Sequence, residues 1–196
     1  QGACGNVRPR ILADPATGRF RPCREEDTAA VAHALADDVE QTLQTPAHAL
    51  ELELTASEGW LALPLDENST PDLAALAEGN NAPAHAARYW LEPPPAIWSR
   101  WQPWPVGLFT LARNCRVAWF GGEPLAEWQP FLRGCLKDDA LMVWGYTGES
   151  TGYLPMDRHL PEGGYETSAG FYRKFSPWRL APGIDATVRD RFSKLG

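Results

Sequence analysis

Residues 106–128 read VGLFTLARNCRVAWFGGEPLAEW. Val106 to Ala112 form an apolar run that reads as a buried strand. Arg113-Asn114 turns the chain, and Cys115 to Phe120 returns as a second strand. Gly121-Gly122 breaks that strand, and the stretch from Glu123 to Leu132 starts a helix. Further along, Ala140 to Trp144 is a third short strand ending in Gly145, and a last helix spans about Ile184 to Leu195. Upstream, a helix is expected over about 27–44. Asp27 or Thr28 caps it, Val31, Leu35, Val39 and Leu43 share one face, and Pro46 ends it. Leu50, Leu52 and Leu54 then alternate with Glu51 and Glu53, the pattern of a half-buried strand. Trp60 to Leu65 is its partner across a turn at Ser57-Glu58-Gly59. Strands and helices interleave, so the expected fold class is α/β, with mixed α+β layers.

Residues 66–104 differ in character. A polar, short-helical part gives way to EPPPAIWSRWQPWP, dense in Pro and Trp. Such a Pro run is expected to be neither a regular helix nor a central strand. It reads as an irregular crossing segment whose Trp98, Trp101 and Trp104 cover the core, with an aromatic groove or an exposed apolar patch over 93–105 as alternatives.

The chain has 196 residues, 44% of them apolar, enough for a substantial core. A net charge of -7 without a basic stripe argues against nucleic acid as a partner. No apolar run reaches the roughly 20 residues that span a bilayer. The opening QGACGNVRPR has neither an initiating Met nor the look of a signal peptide, and the expectation is a piece of a longer chain. Cys4, Cys23, Cys115 and Cys135 contain no C-x-x-C pair, which excludes a zinc knuckle. A Cys4–Cys23 disulfide is the alternative to four free, mostly buried thiols.

Two places suggest chemistry. Glu123 follows a buried strand, where open α/β folds gather ligand groups, although a carboxylate there also suits a helix N-terminus. The segment GYLPMDRHLPEGGYET, residues 152–167, follows another strand and holds two tyrosines twelve positions apart. Tyr153 and Tyr165 either present two phenol oxygens to one site or anchor the loop by packing.

These segments, with QGACGNVRP at the start, occur in an order that resembles the neutral/alkaline, non-lysosomal ceramidases, in particular their single-domain bacterial relatives. Gly152-Tyr153-Leu154-Pro155 and Glu162-Gly163-Gly164-Tyr165-Glu166 match the family's late segment, N-x-Y-x-G-Y-L-P-T-R-E-x-Y-x-x-G-G-Y-E. Gly122-Glu123 and Glu127-Trp128 match L-P-G-E-x-F-x-E-Y. The likeness runs from residue 1 to the last helix and thins between about 45 and 105. It implies the C-terminal portion of one larger ceramidase-like catalytic domain over 1–196, without the immunoglobulin-like domain that follows in many ceramidases. It further implies a zinc-dependent hydrolase of a lipid amide or another small-molecule substrate. By the resemblance, Glu123 and Tyr153 are zinc ligands, Tyr165 contacts substrate at the scissile carbonyl, and two His ligands lie outside this chain. His33, His48, His85 and His159 do not fall on the family's ligand positions.

The family's G-D-[VIL]-S-P reads Gly5-Asn6-Val7-Arg8-Pro9 here. Arg8 stands at the catalytic Ser position and offers a fixed cation instead of a hydroxyl. It either binds an anionic group of a different substrate or serves structure. Glu149-Ser150 replace the Asn and Tyr that precede the late segment, and Asp157 replaces an Arg. The alternative reading is therefore a repurposed relative that acts as a binding module. Contact with a membrane surface is compatible with a lipid substrate. The family is often extracytoplasmic or secreted, while the residues themselves fix neither compartment nor oligomeric state.

Overall fold

The computed structural model describes residues 1–47, 49–92, 98–149, 152–168 and 177–196. His48, Ser150 and the Pro93–Ile97 part of the Pro-rich run lie outside the described residues. The chain forms two compact units, Val7–Glu51 and a larger one made of Gln1–Asn6 with Leu52–Gly196.

The smaller unit is built on helix α1, Glu25–Leu43. Asp27 is not its N-cap, as the sequence suggests; Arg24 is. Asp27 sits one turn inside, where Oδ2 accepts the Arg24 amide at 2.9 Å. Arg21 forks onto both of its oxygens at 2.5 and 2.7 Å. Those Arg21 bonds first, and the Arg24 amide second, hold the Asp27 carboxyl well below the usual carboxylate range.

The larger unit carries a five-stranded sheet in the order β5-β3-β2-β1-β7. Its strands are β1 Leu52–Asp66, β2 Trp101–Ala112, β3 Cys115–Phe120, β5 Met142–Trp144 and β7 Arg179–Leu180. β1, β2, β3 and β7 pair antiparallel, and β5 lies parallel to β3. Short helices α2 Leu73–Ala77 and α3 Ala82–Leu91 occupy the β1–β2 connection. Helices α4 Trp128–Leu136 and α7 Ile184–Leu195 supply Trp128, Leu132, Ile184, Val188 and Phe192 to the sheet's core. Leu61, Leu63, Trp104, Val106, Leu108, Phe120 and Val143 meet them from the strands. The α/β class with mixed layers is the observed one.

Three expectations change. Ser57-Glu58-Gly59 is no turn: β1 is one uninterrupted strand, and these residues pair with Leu108, Gly107 and Val106 of β2. The buried leucines of β1 are Leu61 and Leu63, whereas Leu50, Leu52 and Leu54 are exposed. Pairing along β2 outweighs the local turn preference of Ser and Gly, because each added pair buries more of the sheet.

Pro103 and Pro105 sit within β2, between β1 and β3 in the sheet order. The Pro105 carbonyl accepts the Gly121 amide at 2.8 Å, so position 105 addresses the β3 side. β3 ends at Phe120, so the missing N–H groups of Pro105 and, two residues back, Pro103 fall at and beyond its end. The Gly121 carbonyl takes the Trp104 indole N–H at 2.5 Å instead. Trp104 is fully buried as expected, while Trp101 is exposed.

Third, Glu123 does not start a helix. Glu123–Pro124 is strand β4, and the helix begins later, at Trp128. The N-terminal-helix explanation for Glu123 therefore falls away.

Candidate functional site

β4 pairs in parallel with β6, Tyr153–Leu154, and the register sets Glu123 directly opposite Tyr153. The Glu123 amide donates to the Gly152 carbonyl at 2.6 Å, and the Leu125 amide to Leu154 at 3.3 Å. The buried Trp128 indole donates to the Leu154 carbonyl at 2.9 Å, which ties β6 to α4. On the other flank the Gly5 amide donates to the Pro124 carbonyl at 3.0 Å. A Cβ on Gly5 would lie 2.8 Å from the Glu123 carbonyl oxygen and 3.2 Å from the Tyr153 ring, so only glycine fits here. The two residues singled out thus face each other from separate stretches of chain, clasped by the N-terminal segment.

The segment after β6 is not the plain loop expected. It contains two single turns of helix, α5 His159–Glu162 and α6 Tyr165–Ser168. Gly163 and Gly164 between them have φ of 71° and 101°, which reverses the chain. The reversal sets the Tyr165 ring edge-on to Tyr153, with centroids 5.4 Å apart and planes at 68°. The two rings meet in a packing contact that both readings of the tyrosine pair allow. Tyr165 is 61% exposed.

The Tyr153 phenol is pushed up to about 12, by burial first and then by its hydrogen bond to the Glu123 carboxylate. Tyr146 was not singled out in the sequence, yet Glu123 bears on its phenol too. Burial first, and then Glu123, push it up as well.

A second cluster surrounds Glu127. Its Oε2 accepts Asn6 Nδ2 at 2.9 Å. Its Oε1 lies 2.9 Å from Arg158 Nη2 and 3.4 Å from His159 Nε2. The Met156 amide donates to His159 Nδ1 at 3.0 Å, which in the neutral ring leaves the proton on Nε2, facing Glu127. Burial acts to raise Glu127, but its own amide, Asn6, His159 and Arg158 together hold it below its ordinary value. Asn6 also accepts the Ala126 amide at 2.9 Å. An Asp at that position has no N–H to donate and would repel Glu127, so the departure from the family motif matches this chain's own contacts. Asp157 likewise has a local task. Its Oδ1 accepts the Gly183 and Ile184 amides at 2.9 Å each, and its amide donates to Asp185 at 3.0 Å, which docks the segment on the start of α7. A polar cavity of about 390 Å³ opens beyond the carboxyl ends of β4 and β6, lined by Asn6, Glu127, Arg158, His159, Glu162 and Glu166 among others.

Arg8 is exposed and belongs to the Val7–Glu51 unit. His33 and His85 are exposed on α1 and α3. Cys4, Cys23, Cys115 and Cys135 are free thiols; Cys23 is exposed and the other three partly so, rather than mostly buried. Among the described residues no three His, Cys, Asp or Glu side chains converge as a metal cluster. No described helix is long and apolar enough to cross a membrane.

Comparison with known proteins bears on the fold. No family model matches the chain, and no curated protein does. Two solved structures do: a ceramidase complexed with C2, and the neutral ceramidase from Pseudomonas aeruginosa. Each matches with a TM-score of 0.50 and 14% identity over 100% of this chain, but over only 37% and 36% of its own. At that identity the likeness is one of fold. This chain spans little more than a third of either.

Proposed function

We propose that this chain is the C-terminal portion of a ceramidase-like catalytic domain, a zinc-dependent hydrolase of a lipid amide or related N-acyl substrate. The observation that supports the reading is the pairing of Glu123 with Tyr153 across two parallel strands, with Tyr165 folded back over them. The ceramidase-like fold points the same way.

The donor set suits zinc. A carboxylate and a phenol oxygen are acceptable partners beside imidazole, and two imidazoles would come from outside this chain. When bound, the metal lowers the pKa of water and polarises an amide carbonyl. The chain's own residues hold and orient. Gly5 and the β4–β6 ladder fix Glu123 opposite Tyr153. In this reading Tyr165, exposed beside Tyr153, donates a hydrogen bond to an oxyanion forming at the scissile carbonyl. The polar cavity receives the hydrophilic end of the substrate.

Arg8 favours a second reading. It stands where the family's Ser is expected, and a guanidinium supplies no hydroxyl. The protein is then a binding module on the same frame, with Arg8 meeting an anionic group.

The deciding experiment is zinc content by elemental analysis of the full-length gene product, beside Glu123→Ala. About one zinc per wild-type chain and far less in the variant is the expected result. Absence of zinc from both sinks the hydrolase. Zinc without cleavage of any N-acyl amide turns the assignment to the binding module.

A further inference from the structure

Helix α1 carries Glu25, Glu26, Asp27, Asp37, Asp38 and Glu40 and contains no Lys or Arg. At its start this charge is matched. Arg24 pairs with Glu26 at 3.5 Å, Arg21 pairs with Asp27, and carboxylates suit the positive end of a helix. The second half is different. Among the described residues Asp37, Asp38 and Glu40 have no cation paired with them, and the last turn holds no basic residue. The negative end of the helix is therefore uncompensated. The same half bears the apolar stripe: Leu35, Val39 and Leu43 are exposed. Each follows the last by four residues, so they form one ridge of the kind that fits between the ridges of another helix. Asp38 stands three positions after Leu35 and Glu40 three before Leu43, which makes both carboxylates neighbours of the ridge.

An exposed apolar ridge beside unmatched carboxylates selects its occupant by charge. We propose that the second half of α1 docks a basic amphipathic helix of a partner protein. Its apolar side chains meet Leu35, Val39 and Leu43, and its Lys or Arg side chains reach Asp38 and Glu40. A cation laid there also complements the carboxyl end of α1. A second copy of the chain is a poor occupant. Two α1 helices, parallel or antiparallel, bring acid to acid, and Arg21 and Arg24 are already paired. An anionic lipid surface attracts basic segments and repels this one. The docking needs neither Glu123 nor Tyr153 and is independent of the zinc reading.

The test titrates the full-length protein against a labelled model peptide, an amphipathic helix of Leu and Lys, and reads fluorescence anisotropy. The same helix with Glu in place of Lys, and a scrambled Leu/Lys peptide that cannot form an apolar face, are the controls. Binding of the amphipathic Leu/Lys helix alone is expected. The double variant Leu35→Gln with Val39→Gln should weaken it by at least about 10-fold, because two buried aliphatic contacts are lost. Asp38→Asn with Glu40→Gln should weaken it by about 3- to 10-fold and flatten its dependence on salt. His33→Gln, on the opposite face of α1, should leave it unchanged. Circular dichroism of each variant checks that α1 is still folded. No binding of the Leu/Lys helix, equal binding of the Leu/Glu or scrambled peptide, or binding that survives both double variants overturns the proposal. So does a dimer in sedimentation, or adhesion to vesicles of phosphatidylcholine and phosphatidylserine, that Leu35→Gln with Val39→Gln abolishes.

Discussion

The two units are held together by different forces. In Val7–Glu51 the only described residues that are buried are Leu12 and Asp27, and Asp27 is there as a hydrogen-bonded charge. The apolar stripe of α1 is exposed, with Leu35 at 63%, Val39 at 50% and Leu43 at 80%. In the larger unit the sheet and helices α4 and α7 enclose one continuous apolar cluster. An amphipathic pattern is thus a necessary mark of burial and not a sufficient one. The stripe on α1 is regular and uncovered, whereas the α7 residues Ile184, Val188 and Phe192 have the same helical spacing and are fully buried. What separates them is the presence of a partner surface, which no local window of sequence contains.

The largest expected effect is therefore in that core. Phe192 is fully buried with its ring 5.3 Å from Phe120. Phe192→Ala leaves a cavity between α7 and the sheet and is expected to cost about 3–5 kcal/mol. Urea or guanidinium unfolding of wild type and variant measures it. A loss under about 1 kcal/mol would mean that this core collapses around the gap, unlike a tightly packed one.

A smaller effect is expected at the site, where position depends on close backbone approach. Gly5→Ala pushes a methyl group to 2.8 Å from the Glu123 carbonyl oxygen and 3.1 Å from Leu125 Cδ2. Overpacking of this kind costs about 1–3 kcal/mol. The displaced atoms belong to the Glu123–Tyr153 pair, so on the zinc reading proposed above, zinc uptake should fall alongside stability. Full zinc affinity in Gly5→Ala would show that the N-terminal segment can withdraw without disturbing the pair.

The sequence was legible where a pattern is local. β3 lies at Cys115–Phe120 and the last helix at Ile184–Leu195, each where its apolar spacing places it. β4 and β6 are two residues each, too short to have a period. Pro103 and Pro105 argued against a central strand because what permits them is the end of β3. Glu123, Tyr153 and Tyr165 came forward through motif order, and the fold sets them together. Asn6 pointed the other way as a departure from the motif. Its bond to Glu127 spans 121 positions and exists only in the folded chain. Tyr146 gave no signal beyond its place after a strand, since a left-handed φ is a property of the folded backbone.

The smallest expected effect returns to α1. Leu35 is 63% exposed, and its removal strips little apolar area from the described residues of its own unit. Leu35→Gln keeps length and helix propensity and is expected to change stability by no more than about 0.5 kcal/mol. The same unfolding measurement used for Phe192→Ala reads it. The interest lies in the contrary result. A loss above about 1 kcal/mol requires that the stripe be covered in solution, because exposed leucines do not contribute on that scale. The contrast between a unit with a core and a unit without one would then fail, and the surface that covers Leu35, Val39 and Leu43 would become the next thing to find.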